Sequence, residues 1–579
     1  MAASSEQMQA ALVLALPEDA RLVLDSCRRL LGPNLFGPQT GAVGDALTPG
    51  WPAGDVLDRW QDRVRALLDG MGWGDAEPRA RLFDGGASLF VAAPADQLFT
   101  AAYVIEAGWY LAASELLGLP CTRLPCLAAD LRIVAATEAD PRLLSLLDEA
   151  ADRGIDRLLD DDALTLGHGI GGQTWETADL PAAPDWAVLH DIPLALVTGT
   201  NGKTTTTRLI AAMGQAAGLT AGLSSTEFVK VGDAILDRGD YSGPAGARLL
   251  LRDGKAELAV LEVARGGILR RGVPVTRARA AVVTNVAADH LGQYGINTVA
   301  ELAEVKLAVR HGLAPGGMLV LNADDPALVA AVDEDLSEQA AWFSLDPQNP
   351  KIVAARAAGR PCGWLEDGWL CLSDGMGVVR LIAAAEVPLT LGGAARYNIE
   401  NALGAALAAR ALGLADAAIR QVLASFRSDP ADNPGRANEF TVKGARVFVD
   451  FAHNPHSIAA VTSALHALPA RRRFVLLSHA GDRSDADIRA LTEGAFALAP
   501  DVVVAAENPK YLRGRQPGEV SALIRAAALE RGGVEVLMAD SPADGARKII
   551  DRLGPGDLAL LLVHDERAAI FAMLTAAGA

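Results

Sequence analysis

Cysteine is scarce in this chain and follows no pairing pattern. Cys27, Cys121, Cys126, Cys362 and Cys371 make neither an even set nor a CxxC pair. A disulfide scaffold is thereby excluded, and reduced, buried thiols of a cytoplasmic protein are expected. A basic surplus is missing too. Lys and Arg total 52 against 71 Asp and Glu, a net charge of -19, which speaks against nucleic acid or an anionic membrane as the main partner. No apolar run approaches the roughly 18 residues a membrane helix needs. The opening MAASSEQMQAALVLALPEDARLVL has no basic leader and meets acidic residues early, so no signal peptide is expected. The sequence shows no internal repeat and no low-complexity tract. It is half apolar and 21% charged, the balance of a packed globular protein. Its 579 residues are too many for one core, so three domains are expected.

Residues 1–165 mix apolar strands, as in RLFDGGASLFVAA, with helix-like runs such as AAYVIEAGWYLAASELLG. Their period fixes no topology. The stretch 176–190, ETADLPAAPDWAVLH, holds two prolines and little periodicity and reads as a linker. From 192 the pattern changes. LALVTG, TAGLSS, ELAVLEV, RAAVVTNV and GMLVLNAD are continuous apolar runs set between helices, as expected of parallel strands covered on both faces. Thr298 and Glu301 predict a capping box opening a helix around Lys306 that stops near Gly312. A further helix, RYNIENALGAALAARAL, stops at Gly413. After about 433, strands ARVFVDFA, RRFVLLSHA, DVVVAAE, VEVLMAD and DLALLLV take turns with helices, the mark of an open doubly wound domain. The chain is therefore expected to be α/β: an N-terminal α+β domain over 1–180, a phosphate-loop domain over 181–432 and a Rossmann-like domain over 433–579.

Between the strand LALVT and the helix that follows it lies Gly199-Thr200-Asn201-Gly202-Lys203-Thr204-Thr205. Gly199 and Gly202 let the backbone come close to a ligand. Backbone N–H groups and the positive helix end point at phosphates. Lys203 adds a point charge for the outer phosphates and Thr204 offers a hydroxyl to Mg²⁺. Residue 197 is Val, so the spacing is not the full GxxxxGK[ST]. A nucleoside triphosphate with its metal is the expected ligand.

GTNGKTT in this setting resembles the phosphate loop of the Mur ligase superfamily of ATP-dependent amide ligases. The resemblance continues in order through GDYSGPAGARLLL, VLEVARGGILRRG, TNVAADHLGQYGINTVAELAEVK, ARYNIENALGAA, VDFAHNP, GDRSDADIR and LRGRQPGEV. Together these look most like the Mur-type half of the cyanophycin synthetases, which adds arginine to aspartate side chains of a growing polymer. The resemblance covers about 190–570. LLGPNLFGP near 31 and DDDALTLGHG near 160 give a weaker echo of the N-terminal domain of the same family. There an ATP-grasp domain would follow; here the chain passes almost directly from about 175 to the Mur portion, so the aspartate-adding activity is not carried over.

The resemblance implies an ADP-forming ligase. ATP phosphorylates a carboxylate, and an amine, such as that of an amino acid, displaces the phosphate. Glu262 ends an apolar strand, at the edge where open α/β sheets bind ligands, and is implied as a Mg²⁺ ligand. His290, in a loop that Asn285 and Asp289 orient, is implied as the ligand of a second Mg²⁺. Lys306, on the helix after it, sits where many Mur ligases carry a lysine carbamylated by CO₂. Asn398 and Asn401, one turn apart on a helix face, fall where the family places an amide at adenine. Arg436 resembles the arginine that reaches ATP phosphate when the C-terminal domain closes. Asp450, His453 and Asn454 match a family segment at the nucleotide. Asp482, Arg483, Lys510, Arg513 and Arg515 lie in loops after C-terminal strands, where guanidinium groups suit a carboxylate and one or two are expected to hold the amine substrate. Arg265 and Arg270 are expected to face the carboxylate substrate. Two other readings share these residues: a nucleotide-binding partner of a separate ATP-grasp enzyme, and a polyglutamate- or peptidoglycan-type Mur ligase. Small-molecule or peptide partners are expected, and a homo-oligomer stays open.

Overall fold

A computed structural model describes residues 7–8, 11–430 and 433–578. The boundary expected after 432 falls beside 431 and 432, and part of the stretch scanned for a leader falls on 1–6 and 9–10, all outside the described residues. The chain forms two compact units. The first comprises Met1–Val286, His290–Ala341 and Leu407–Ala415; the second comprises Ala287–Asp289, Trp342–Ala406 and Asp416–Ala579.

The first unit opens with an antiparallel sheet of β1 (Val23–Leu30), β2 (Gly41–Leu47), β3 (Pro78–Phe83) and β4 (Gly86–Ala92) in the order β1-β2-β4-β3. RLFDGGASLFVAA is thus a hairpin. Asp84-Gly85 turns the chain, with Gly85 at φ 83°, a value that suits glycine in a two-residue loop. The helix Ala53–Met71 buries Val56, Trp60, Val64, Leu67, Leu68 and Met71, a helical spacing that makes one apolar stripe. It ends at Gly72 in the left-handed conformation. Its stripe packs with Trp109 and Ile105 of the helix Leu98–Leu117 in one core. A smaller sheet follows: β5 (Arg157–Leu159), β6 (Ala163–Leu166) and β7 (Gln173–Glu176). The linker-like stretch after it is not loose, because Leu180 and Leu189 are buried in the core around that small sheet.

Then come β8 (Leu194–Thr198), β9 (Ala221–Ser224), β10 (Phe228–Val231), β11 (Ala234–Arg238), β12 (Leu258–Glu262), β13 (Ala278–Val283) and β14 (Leu313–Asn322), ordered β11-β10-β9-β12-β8-β13-β14. β9, β12, β8, β13 and β14 run parallel, and every residue of β8, β9 and β12 is buried, as the unbroken apolar runs require. The N-terminal elements are fastened to this sheet. Asp156, 1% exposed, accepts from Thr276 N–H at 2.9 Å, Thr276 Oγ1 at 2.6 Å and Arg277 N–H at 3.1 Å. Val273 N–H donates to the Pro33 carbonyl at 2.6 Å.

In the second unit, β15 (Ala341–Ser344, from Trp342 onward), β16 (Cys362–Glu366), β17 (Trp369–Ser373) and β18 (Val378–Ala383) are adjacent in that order. A six-stranded sheet follows: β19 (Asn438–Val442), β20 (Ala445–Asp450), β21 (Arg473–Leu477), β22 (Val502–Ala506), β23 (Glu535–Ala539) and β24 (Leu558–Leu562), ordered β19-β20-β24-β21-β22-β23. All of its pairs are parallel except β19 with β20, and apolar cores lie on both faces. The five strands read from the sequence after 433 are β20 to β24.

Candidate active site

Register brings the predicted phosphate-site residues together. In the parallel ladder Glu262 lies opposite Val197, and Val283 opposite Thr198. The ends of β12, β8 and β13 therefore deliver Glu262, the loop 199–203 and Thr284-Asn285 to one edge, where open α/β sheets bind ligands. Thr204 Oγ1 donates to Glu262 Oε2 at 3.0 Å, with Thr204 3% and Glu262 1% exposed. Asn285 closes the other side: its side-chain oxygen accepts from Asn201 N–H at 2.9 Å, its amide donates to the Asn201 carbonyl at 3.1 Å, and its own carbonyl accepts from Thr200 N–H at 2.8 Å. Lys203 Nζ lies across the loop, 2.9 Å from the Thr200 carbonyl. The helix Lys203–Ala216 begins directly after Gly202, at φ 83°. Gly199, at φ 145°, leaves no room for a side chain, since a Cβ there would stand 1.9 Å from Thr284 Oγ1. Glycine, lysine, threonine and an acid thus frame a concave cradle whose donor set fits a triphosphate with a hard cation. Thr205 follows in the first helical turn, 5% exposed.

The loop after β13 is pinned by Arg265, whose guanidinium donates to the His290 carbonyl at 2.7 Å and to Gln293 Oε1 at 2.8 Å. His290 is exposed and sits at φ 50°, a conformation uncommon for a residue other than glycine. Lys306 is 4% exposed on the helix Val299–Leu307, and the predicted capping box is formed: Thr298 accepts from Glu301 N–H, and Glu301 accepts from Thr298 N–H. A lysine this buried is unusual. Arg270 is exposed at the far end of the helix Arg265–Arg271, its Nε 3.1 Å from the Gly266 carbonyl.

In the second unit, Asn398 and Asn401 are buried against each other. Asn401 Nδ2 donates to Asn398 Oδ1 at 3.1 Å, and Asn398 Nδ2 to the Leu389 carbonyl at 2.9 Å. Asp450 ends β20 and accepts from Ala437 and Ala452 N–H groups at 2.7 and 2.6 Å; burial pushes its carboxyl above the ordinary range, against the pull of Arg436. Arg436 also lies over the Phe451 ring at 5.3 Å. His453 Nδ1 is 3.1 Å from the Phe451 carbonyl. Asn454 is the N-cap of the helix Pro455–His466, in a capping box with Ser457. Asp482 pairs with Arg513 at 3.0 Å and Lys510 with Asp565 at 3.2 Å. Arg515 pairs with Asp485 and Glu519 and donates to the carbonyls of Gly481 and Arg483, so in this structure it knits two loops together.

Sequence reasoning passed over the residues at the ends of β21, β22 and β24. Ser478, His479 and Asn508 are buried, and among the described residues their side-chain polar atoms have no hydrogen-bond partner, although such groups are normally satisfied. His479 is held down to about 3 by burial, then by His564 and Arg483. His564, Nε2 3.1 Å from the Ala452 carbonyl, is held down to about 4, by burial first. Parallel register sets these residues in one row, a signal that SHA, AEN and LVH carry only once the strands are known to be neighbours.

A mixed α/β fold carrying a glycine–lysine phosphate loop at the carboxyl edge of a parallel sheet defines a P-loop nucleotide-binding protein, and a second open α/β sheet follows it. Family models sharpen this. The Mur ligase middle domain matches residues 197–409, and the Mur ligase, glutamate ligase domain matches residues 435–562. A UDP-N-acetylmuramoyl-L-alanyl-D-glutamate--2,6-diaminopimelate ligase of Chlorobaculum tepidum is 30% identical over 386 residues, 63% of this chain and 70% of that protein. The chain belongs to the Mur ligase family. It is also 37% identical over 382 residues to the cyanophycin synthetase of Synechocystis sp., 66% of this chain and 43% of that protein. The corresponding figures for the cyanophycin synthetase of Trichormus variabilis are 39% over 333 residues, 58% and 37%. The chain thus spans less than half the length of these cyanophycin synthetases. Among solved structures, E. coli FolC in complex with ADP, without folate substrate, shares the fold at a TM-score of 0.50 and 21% identity, over 66% of this chain and 89% of that one. Among the described residues no helix is long and apolar enough to cross a membrane.

Proposed function

We propose that the chain is an ATP-dependent, ADP-forming ligase that joins a carboxylate to the amino group of an amino acid or another amine. In this reading an acceptor carboxylate oxygen attacks the γ-phosphorus of ATP and ADP leaves. The amine nitrogen then attacks the acyl carbon, loses a proton and expels phosphate. Such chemistry asks the protein chiefly to position reactants and neutralise phosphoryl charge. The observation that carries the reading is the 3.0 Å bond between Thr204 and Glu262 beside Lys203, which joins a metal-type hydroxyl and carboxylate to a phosphate cradle.

Lys203 and the loop N–H groups hold the outer phosphates. Thr204, Glu262 and His290 would hold Mg²⁺, which supplies charge neutralisation when bound. Lys306 is the candidate for carbamylation. Asn285 shapes the loop, while Asn398, Asn401, Arg436, Asp450, His453 and Asn454 form the remaining nucleotide set. Arg265 and Arg270 serve the acceptor side; Asp482, Arg483, Lys510, Arg513 and Arg515 serve the amine side. The three-domain division at 180 and 432 belongs to the same proposal, as does a cytoplasmic setting.

Phosphate release measured across amino acids combined with short acidic peptides tests the reading. Release is expected to require one carboxylate and one amine together and to vanish in Lys203→Ala. ATP hydrolysis indifferent to the amine would count against it.

A further inference from the structure

The loop that carries His290 is held by the N-terminal sheet. Arg81 of β3 grips it with both ends of its guanidinium. One Nη donates to Glu301 Oε1 at 3.0 Å and the other to the Gly295 carbonyl at 2.7 Å. Phe83, two residues further along the same strand, fills the space at Gly295, where a Cβ would stand 2.2 Å from its ring. Arg28 of β1 lies over the Tyr294 ring at 5.0 Å and is itself held by Asp45 at 2.6 Å. We infer that Arg81 is a positioning residue of the proposed metal site. It sets the place of the His290 ring, so that a strand of the N-terminal sheet governs how tightly a divalent cation is held. His290 as a metal ligand belongs to the ligase reading, on which this rests; the part of Arg81 rests on the loop geometry.

Backbone conformation shows why the loop needs a brace. From His290 to Gly295, four residues have positive φ: His290 at 50°, Gly292 at 85°, Tyr294 at 56° and Gly295 at 64°. Two of them carry side chains, for which this conformation costs about 1–3 kcal/mol and persists only where the surroundings impose it. The His290 side chain is exposed, so burial does not fix it. Inside the loop, Gly292 N–H donates to the Ile296 carbonyl at 2.8 Å, and Ile296 is fully buried.

The remaining restraint comes from outside. Arg265 takes the His290 end, and Arg81 takes the Gly295 end. Arg81 also ties that end to the helix Val299–Leu307. The Glu301 that accepts from Arg81 accepts with its other oxygen from Asn297 and Thr298 N–H groups at 2.8 and 2.9 Å. The donors of a guanidinium form a rigid fork, so one arginine fixes two partners in distance and angle together. Groups standing behind a metal ligand govern affinity by orienting that ligand.

Electron paramagnetic resonance of free Mn²⁺ tests this on the full chain saturated with a non-hydrolysable ATP analogue. Arg81→Ala is expected to weaken Mn²⁺ binding about tenfold, while affinity for the analogue in EDTA, which reports the intact phosphate loop, is unchanged. Arg81→Lys keeps the charge but not the fork and should recover only part of the loss. Gly295→Ala, which presses on Phe83 from the loop side, should weaken Mn²⁺ without altering any charge. In a His290→Ala background the Arg81→Ala change should matter less than about twofold, because both act through one ring. Unaltered Mn²⁺ affinity in Arg81→Ala, a full further loss on top of His290→Ala, or an equal loss of analogue affinity in EDTA would overturn the assignment. Should His290→Ala itself leave Mn²⁺ bound as before, the metal role of that histidine falls and the part of Arg81 with it. The expected Mn²⁺ pattern without amine-dependent phosphate release would leave the brace standing and remove the ligase reading.

Discussion

In the proposed ligase Glu262 is the side chain on which the chemistry turns, because it is buried at a strand end and yet bonded to the threonine of the phosphate loop. Glu262→Gln keeps an acceptor for Thr204 and removes the charge. It is expected to lower phosphate release by about a hundredfold or more without lowering the melting temperature, since neutralising a buried carboxylate relieves desolvation; a parallel loss of melting temperature and turnover would assign it a structural part only. Gly199→Ala separates geometry from charge. Its Cβ would stand 1.9 Å from Thr284 Oγ1 at a φ of 145°, so about 2–4 kcal/mol of stability should be lost in chemical denaturation. The loop was legible in the sequence because glycine, lysine and threonine at fixed spacing have one physical use. Ser478, His479 and Asn508 were not, since each is an ordinary polar residue until the ladder sets its strand end beside the next.

At the scale of elements, the helix Val299–Leu307 was readable from both ends of its capping box, and Thr298→Ala is expected to cost about 1 kcal/mol, measured by urea denaturation. That helix presents Lys306, so the same variant should lower activity more than its stability loss alone predicts if the helix positions the lysine. Parallel strands were readable from unbroken apolar runs. The hairpin of β3 and β4 was legible only in part, because the alternation of RLFDGGASLFVAA continues on both sides of its Asp-Gly turn. The linker after β7 was misleading for a related reason: two prolines abolish periodicity, yet Leu180 and Leu189 still reach a core.

Across the whole molecule, burial of histidine sets a dependence of stability on pH. His479 is held near 3, and His564 and His311 near 4, in each case by burial first. In the unfolded chain they protonate near 6.5. Between these limits the unfolded chain binds more protons, so their contribution is present above about 6.5 and is lost as pH falls toward 4. Each ring can contribute a slope of up to about 1.4 kcal/mol per pH unit. Asp450, raised by burial, acts in the opposite sense. The melting temperature is expected to drop between pH 6.5 and 4.5, and His479→Asn should flatten that profile; an identical profile in the variant would show that the ring titrates normally.

The central claim is that the phosphate loop serves to activate an acid. Short aspartyl peptides with ¹⁸O in their carboxylates, mixed with amino acids and ATP, test it directly by the isotope content of released phosphate. Transfer of one carboxylate oxygen to each phosphate is the predicted result, because the amine displaces phosphate from carbon. Phosphate that forms without any ¹⁸O would contradict it, since its oxygen would then have come from water.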